Sequence, residues 1–279
     1  LSVGASDASD QKSSGSTFNY SVDLIAAGVS IYSSVNNNGY TTGGPGTSFA
    51  TPQVAAAAAL VKDVYPQLSA IQIMERVRAT ADDIYDVGSN SDYDGKLGKG
   101  RLNVYRAVSE SGVKSLRVAD PAFSSNYGDV AFFGDTVQVN AMLTNYLAAV
   151  NNPTLTISSP DANAEISVGS FFPGYLSTEE SKPIAFEIIL DENLAPESDI
   201  DLRLDFQATG YHDFQFLSLT TSPDYASFGN ENVQMTISGN GNLGFDTYGP
   251  SWEGTGFRYF SDTLLTYTGL MIASSSSFL

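Results

Sequence analysis

Short apolar runs and one long uncharged run alternate along the first third of the chain. The apolar runs are bounded by Gly, Ser and Asn, which predicts short and mainly buried strands at 1–6, 22–27 and 29–35. The uncharged run predicts a helix from about Ser48 to Tyr65, because Pro66 disfavours helical backbone in the residue before it. Five consecutive alanines, 55–59, have little side-chain bulk, so we expect this helix to pack closely against a core.

Two further helices are predicted after the first. Ser69 and Gln72 have the spacing of a capping box, which predicts a helix that runs to about Ala81. A third helix is expected to start near Asn103. Strands that alternate with helices are typical of an α/β layer with a mostly parallel sheet. Residues 1–110 therefore predict the last part of an α/β domain, with an open sheet edge that favours aggregation.

The pattern changes at about residue 111. From there to about 222, apolar and polar residues alternate between clusters of turn residues, and no good helical pattern occurs. This alternation predicts an all-β unit, an antiparallel β-sandwich of about 100 residues. The alternating runs lie at 137–143, 184–188, 200–206 and 214–217.

Residues 223–279 are rich in glycine and aromatic residues. Glycine turns between short apolar stretches predict a glycine-rich β segment, the start of a further β module that we expect to be cut short at residue 279. Aromatic side chains such as Phe245 and Trp252 can bind sugars, but aromatics between glycine turns are more typical of an ordinary core. The predicted units are thus 1–110, 111–222 and 223–279.

One serine lies in a setting suited to nucleophilic chemistry, at the junction of a loop and the first helix. The hydroxyl of Ser48 is expected near free N–H groups and the positive end of the helix dipole, which favour developing negative charge. Gly46 allows a tight turn and close approach of a substrate backbone, and Pro52 falls in or just past the first helical turn. The alternative is that Ser48 is an ordinary helix N-cap. The segment reads Gly46-Thr47-Ser48-Phe49-Ala50-Thr51-Pro52.

This segment resembles the serine motif of the subtilisin-like serine proteases, Gly-Thr-Ser-x-Ala-x-Pro. The resemblance extends over residues 1 to about 109 and is also carried by 3–5, 15–28, 98–103 and 107–108. It implies a partial subtilisin-like parallel-sheet domain and a serine endopeptidase with an Asp-His-Ser triad. In that resemblance Ser48 is the nucleophile, its N–H and the Thr47 hydroxyl hold the oxyanion, and Gly46 lies in the substrate-facing loop. No organic cofactor is implied.

The other residues of such a site are not found before the serine. In this family the aspartate, the histidine and the oxyanion asparagine precede the serine, but residues 1–47 contain no histidine. We therefore expect the chain to be the C-terminal part of a longer protease and to be inactive by itself. The sole histidine is His212, and its neighbours predict a strand end. A solvated or locally hydrogen-bonded side chain explains His212 more simply than a catalytic pairing with Ser48. The aspartates that precede the serine lack the family's Asp-Ser/Thr-Gly setting; they are Asp7, Asp10 and Asp23.

Charge and cysteine content narrow the function classes. The 279 residues include no cysteine, so the chain has no disulfide framework and no thiolate metal site. Residues 1–110 carry 11 acidic and 8 basic side chains, whereas residues 111–279 carry 20 and 5. This excess of acidic residues disfavours nucleic acid as a partner. It suits a solvated extracellular module, and the alternative is that it serves solubility alone. The resemblance implies a secreted extracellular or cell-surface protein, which we expect to be bacterial. No apolar run is long enough to span a bilayer. The family resemblance implies a protein or peptide substrate.

One segment has half of a calcium-loop spacing. Asn90, Asp92 and Asp94 alternate before Gly95. The twelfth position of a complete loop would be a bidentate glutamate, but it is Arg101, so a full EF-hand is excluded. A looser structural calcium site at Asp92 and Asp94 stays open, and the alternative is a polar Asp-Gly turn.

Two functions remain. The position and strand pattern of residues 111–222 resemble the immunoglobulin-like modules that follow the protease domain in large secreted bacterial subtilases. The leading hypothesis is therefore a serine endopeptidase with accessory β modules. The alternative is a non-catalytic secreted surface or adhesion protein, in which the protease-like part is a degenerate scaffold. The sequence indicates neither the cleavage specificity nor the oligomeric state.

Overall fold

The computed structural model describes residues 1–126, 131–160, 163–222, 225–230, 232–238, 242–244, 256–265 and 267–269. Phe245 and Trp252 of the predicted aromatic cluster lie outside these residues. No helix in the described part is both long and apolar enough to cross a membrane.

The first part of the chain contains four short strands and three helices. The strands are β1 (Val3–Ser6), β2 (Leu24–Ala27), β3 (Tyr32–Val35) and β4 (Gly39–Thr42). The helices are α1 (Thr47–Val64), α2 (Ala70–Ala79) and α3 (Val104–Ser109). The predicted helices are confirmed to within about two residues at each end, which is the usual uncertainty of helix boundaries.

Local side-chain bonds explain where α2 and α3 begin. The predicted capping box is confirmed: the Gln72 N–H donates to Ser69 Oγ at 3.4 Å, and the Ser69 N–H donates to Gln72 Oε1 at 3.0 Å. Asn103 caps α3 by accepting the N–H of Arg106 at 2.9 Å. These bonds satisfy helix N–H groups that would otherwise have no partner.

A small parallel sheet organises the core of this part. Strands β1 and β2 pair in parallel, with Val3 opposite Leu24 and Ser6 opposite Ala27. One face of α1 covers this sheet, and its buried side chains occur at helical spacing. They are Ala50, Val54, Ala57 and Val61.

One expectation about burial is confirmed and another is wrong. Helix α1 packs on the core, to which the alanine run contributes only its inner face, since Ala55, Ala56 and Ala59 are exposed. Strand β3 is exposed at all four residues, because it pairs with β4 in a polar hairpin instead of joining β1 and β2. The turn of this hairpin places Asn37 and Asn38 at positive φ, a conformation that asparagine tolerates well.

The second part consists of two four-stranded antiparallel sheets. One has the order β5-β6-β10-β8 and the other the order β12-β11-β7-β9. Buried side chains from both sheets form one hydrophobic cluster, as alternating strands predict. The strands are β5 (Leu116–Ser124), β6 (Thr136–Asn145), β7 (Thr154–Ser158), β8 (Ala164–Ile166), β9 (Ser170–Phe171), β10 (Ser181–Leu190), β11 (Asp199–Ala208) and β12 (Tyr211–Thr220).

The described residues after Thr221 form short strands in one further sheet. Strand β14 lies in its middle and pairs antiparallel with its neighbours β13, β15 and β16. The strands are β13 (Tyr225–Gly229), β14 (Val233–Ser238), β15 (Asn242–Gly244), β16 (Phe257–Tyr259), β17 (Asp262–Leu265) and β18 (Tyr267–Gly269).

Candidate active site

Ser48 is the second residue of α1, and its side chain is exposed. The N-cap of the helix is Gly46, which is extended and has no side-chain capping bond, so Ser48 is not the cap. Among the described residues, the Ser48 hydroxyl has no hydrogen-bond partner. The serine is therefore accessible, at the helix end where the backbone N–H groups are unpaired.

The electrostatics at this helix end favour an anion. The first turn of α1 contains no acidic side chain, so no carboxylate neutralises the positive end of the helix dipole. Thr47, the first helical residue, is half-buried, and its carbonyl oxygen accepts the Thr51 hydroxyl at 3.0 Å. A negative charge that develops beside Ser48 would thus meet helix N–H groups and no carboxylate from this turn.

A chain of backbone bonds ties the serine loop to the carboxyl ends of β1 and β2. The Gly28 N–H donates to the Ser6 carbonyl, and the Gly46 N–H donates to the Gly28 carbonyl, both at 2.9 Å. The approach requires a glycine: a Cβ on Gly28 would lie 2.5 Å from Ala5 Cβ and 2.8 Å from the Gly46 oxygen. Ser48 is consequently held by the sheet at the edge where α/β proteins place their sites.

Gln53 adds a side-chain clamp to the same loop. Its Nε2 donates to the carbonyl of Ala27 at 2.6 Å and to that of Phe49 at 2.8 Å. The clamp joins the end of β2 to the first turn of α1. Sequence reasoning did not identify this role, because a glutamine inside a helix has no local pattern that reveals a bond to a residue 26 positions away.

Pro52 lies just past the first turn of the helix, as predicted. It is the sixth residue of α1, beyond the first turn. Because proline has no N–H, it cannot donate the usual helical bond to the carbonyl oxygen of Ser48, four residues earlier. The helix is therefore weakened on the turn that carries the serine.

The structure does not bring His212 to Ser48. His212 lies on β12, where its Nε2 is 3.7 Å from Asp205 Oδ1 and its carbonyl oxygen accepts Lys99 Nζ at 2.8 Å. Its side chain is 56 % exposed. The three aspartates that precede the serine also have other partners: Asp7 accepts the Ser9 N–H, Asp10 pairs with Arg101, and Asp23 accepts the Ser2 N–H.

Two residues of the half calcium-loop segment, Asn90 and Asp94, bond to other residues of the protein. Asn90 is fully buried, where its Oδ1 accepts the Lys12 N–H at 2.8 Å and its Nδ2 donates to the Ile84 carbonyl at 2.9 Å. Asp94 pairs with Arg203 at 3.0 Å, and Asp92 is exposed. In the described part of the chain, no three His, Cys, Asp or Glu residues are grouped for a metal ion. The calcium site stays a prediction, which calorimetric titration with calcium chloride tests.

The region that carries Ser48 is similar to known proteins of one family. Residues 1–130 match the family model described as the Subtilase family. Subtilisin DY from Bacillus licheniformis is 41% identical over 108 residues, which are 39% of this chain and 36% of the relative. Alkaline elastase YaB from Bacillus sp. (strain YaB) is 41% identical over 81 residues, which are 29% of this chain and 21% of the relative. Subtilisin E from Bacillus subtilis (strain 168) is 38% identical over 108 residues, which are 39% of this chain and 26% of the relative. The chain thus spans little more than a third, or less, of the length of these relatives.

Proposed function

Starting from the match of residues 1–130 to the subtilases, we propose that this region is part of a serine endopeptidase with Ser48 as its nucleophile. The observation that carries the proposal is the placement of Ser48: exposed, on the second residue of α1, and bonded through its loop to the ends of β1 and β2. A nucleophile needs this combination of accessibility and fixed position.

The proposed chemistry is acyl transfer. Ser48 Oγ attacks the carbonyl carbon of the scissile peptide bond as its proton passes to a general base, which gives a tetrahedral intermediate. Collapse of the intermediate breaks the C–N bond and the leaving amine takes up that proton, after which water releases the acyl group from Ser48. The backbone N–H of Ser48 and the Thr47 hydroxyl donate to the oxygen that becomes negative, aided by the helix dipole. Gly46 leaves room for the substrate backbone, since a Cβ there would lie 3.1 Å from Ser48 Oγ.

We also propose that the aspartate, the histidine and the oxyanion asparagine come from polypeptide that precedes these 279 residues. A serine hydroxyl is a weak nucleophile without an adjacent base, and the single histidine of the chain contacts Asp205 instead of Ser48. In subtilisin, loss of the triad histidine lowers kcat about 10⁶-fold. On this proposal the chain by itself hydrolyses no peptide.

A fluorophosphonate label that reacts with activated serines tests both statements. The chain of 279 residues should not be labelled, whereas a longer polypeptide that includes the upstream sequence should be labelled once per molecule. Ser48→Ala in the longer protein should abolish labelling and peptide hydrolysis. Ser33→Ala, a change at an exposed serine of β3, is the matched control and should leave both unchanged.

Two results would contradict the proposal. Hydrolysis by the longer protein that survives Ser48→Ala would exclude Ser48 as the nucleophile. A longer protein that folds but is neither labelled nor active would favour the alternative, a non-catalytic surface or adhesion protein with a protease-like scaffold. Stoichiometric labelling of the isolated chain would contradict the statement that upstream residues are required.

We propose that the remaining units are accessory modules of a secreted bacterial protein. Two sheets that share one hydrophobic cluster support an immunoglobulin-like β-sandwich for residues 111–222. Residues 223–279 would begin a further β module. The excess of acidic residues after residue 110 supports a well-solvated extracellular surface.

A further inference from the structure

A buried ion pair joins two parts of the chain that are far apart in sequence. Arg78, on α2, and Asp213, on β12, are separated by 135 residues. Arg78 Nη1 donates to Asp213 Oδ1 at 3.0 Å and Arg78 Nη2 donates to Asp213 Oδ2 at 2.6 Å, so the pair is bidentate. The Arg78 and Asp213 side chains are only 2 % and 1 % exposed. Burial of this kind places the two charges at the centre of a contact between α2 and the sheets.

Further polar groups complete the network around this pair. Glu75 Oε2 accepts Arg78 Nε at 3.0 Å and the Ser115 hydroxyl at 2.6 Å. Lys99 Nζ lies 3.3 Å from Asp213 Oδ1, and Arg117 Nε lies 3.6 Å from Glu75 Oε1. The network therefore contains charges of both signs from α2, β5 and β12.

The charges keep Asp213 ionised. Burial alone would raise the pKa of its carboxyl group, but the charge and hydrogen bonds of Arg78, with the charges of Lys99 and Arg117, more than offset this effect. The pKa of Asp213 is consequently lowered far below its ordinary value. At neutral pH the pair is fully charged.

Aromatic and polar contacts surround the network and fix the same contact surface. Tyr20 stacks on Phe216 with ring centroids 3.9 Å apart. A Cβ on Gly95 would lie 2.5 Å from the Phe216 ring, so the backbone of the first part touches β12 directly. Arg203 of β11 pairs with Asp94 at 3.0 Å. These contacts join the first part of the chain directly to β11 and β12.

The position of Arg78 links this surface to the serine helix. The same helix α2 buries Ile73 and Val77 in the cluster that contains Val54 and Val61 of α1. Glu75, on the same helix, is one carboxylate partner of Arg78, with Nη2 and Oε2 2.9 Å apart, and Asp213 of β12 is the second. Loss of one partner from a buried ion network is strongly destabilising. The first part thus depends on β12 for one of the two carboxylates that pair with Arg78.

We propose that residues 111–222 are an obligatory intramolecular partner of the subtilase-matching part, which docks on them through Arg78 and Asp213 and does not keep α1 and α2 folded without them. The two parts are on this proposal a single structural body, and the sheets support the helix that carries Ser48. The proposal is independent of the chemistry of Ser48.

Hydrogen exchange of the full chain, followed by mass spectrometry, tests the proposal. In Asp213→Asn, peptides that cover α1 and α2 should exchange about 10²–10³-fold faster than in the unmodified chain, since one partner of a buried pair is lost. Peptides from β6 and β10 should keep their protection, because their cluster does not contain the pair. The matched control is Asp199→Asn on β11, an exposed carboxylate bonded to Thr220 Oγ1, which should change neither region.

A second variant weakens the contact between the two parts without leaving a charge unpaired. Phe216→Ala removes the ring that packs on Tyr20 and Gly95 but keeps the Arg78–Asp213 pair. It should also accelerate exchange in α1 and α2, and it decides the question where Asp213→Asn does not fold. Unchanged exchange of α1 in Phe216→Ala would overturn the proposal, because the helices would then be folded independently of the sheets.

Discussion

At the scale of single residues, the position of Ser48 depends on small residues and backbone bonds more than on its own side chain. Gly28 and Gly46 let the loop approach β1, and Gln53 clamps it to the end of β2. The serine itself makes no capping bond. Its geometry is set by its neighbours, so substitutions next to the serine should change the site without touching it.

Gly28→Ala should destabilise the first part of the chain. The added Cβ would lie 2.5 Å from Ala5 Cβ and 2.8 Å from the Gly46 oxygen, and neither the methyl group of Ala5 nor the backbone of Gly46 can move away easily. We expect a loss of about 1–3 kcal/mol in the free energy of unfolding, typical of overpacking. Urea unfolding measures it. Gly15→Ala is the matched control, because a Cβ there meets no atom within 4 Å, and an equal loss in both variants would refute the explanation.

At the scale of elements, α2 shows how a local pattern fixes a helix start. Both bonds of the Ser69–Gln72 capping box are present, and the helix then carries Arg78 into the contact with β12. The capping box therefore matters beyond the first turn of α2. Because it fixes where the helix begins, it also fixes where Arg78 lies relative to Asp213.

Ser69→Ala should lower the free energy of unfolding by about 0.5–2 kcal/mol, because the Gln72 N–H loses its side-chain acceptor. Thermal unfolding followed by circular dichroism measures the effect. Ser89→Ala is a suitable control, since Ser89 precedes a short helical turn without a side-chain capping bond. A control variant as unstable as Ser69→Ala would show that the cap is not responsible.

Element prediction from sequence succeeded where the signal was local. The capping box, the proline after α1 and the alternation in β6, β10, β11 and β12 all correspond to observed elements. It failed for β3, whose apolar ends at Tyr32 and Val35 resemble a buried strand although the hairpin is exposed. The packing of α1 on a core was predicted, but its solvated face was not, because an alanine run has no polar side to indicate which face is solvated.

At the scale of the whole molecule, the parts are joined by contacts that no local pattern reveals. Arg78 and Asp213 each occur in an ordinary amphipathic context, and only the fold brings them within 2.6 Å. The position of the proposed nucleophile, Ser48, was predictable because a seven-residue motif contains it. The charge network around Arg78 was not, because long-range charge pairing has no sequence period.

The pH dependence of stability should reflect this network. The pKa values of Asp213 and Glu75 are both lowered in the folded chain, despite burial, mainly by the charge of Arg78. In the unfolded chain they return to about 3.9 and 4.3. A lowered folded-state pKa contributes stability that is present above the unfolded value and is lost as pH falls toward the folded one.

We therefore expect the free energy of unfolding to be steady from about pH 7 to pH 5 and to fall below about pH 4. Urea unfolding between pH 3 and pH 7 measures this profile. Asp213→Asn should be less stable at neutral pH and should show a shallower acid decline. An equally steep decline in that variant would show that other carboxylates dominate.

The inward placement of positive charge has a consequence for how copies of this chain meet. Four of the 13 basic side chains lie at the contact between the first part of the chain and the two sheets, and each is less than a quarter exposed. They are Arg78, Lys99, Arg117 and Arg203. The outer surface is correspondingly poor in cations, although the chain carries a net charge of −18. Mutual repulsion should keep neighbouring molecules apart in dilute buffer, and added electrolyte should weaken it as the screening length shrinks to about 8 Å at physiological ionic strength.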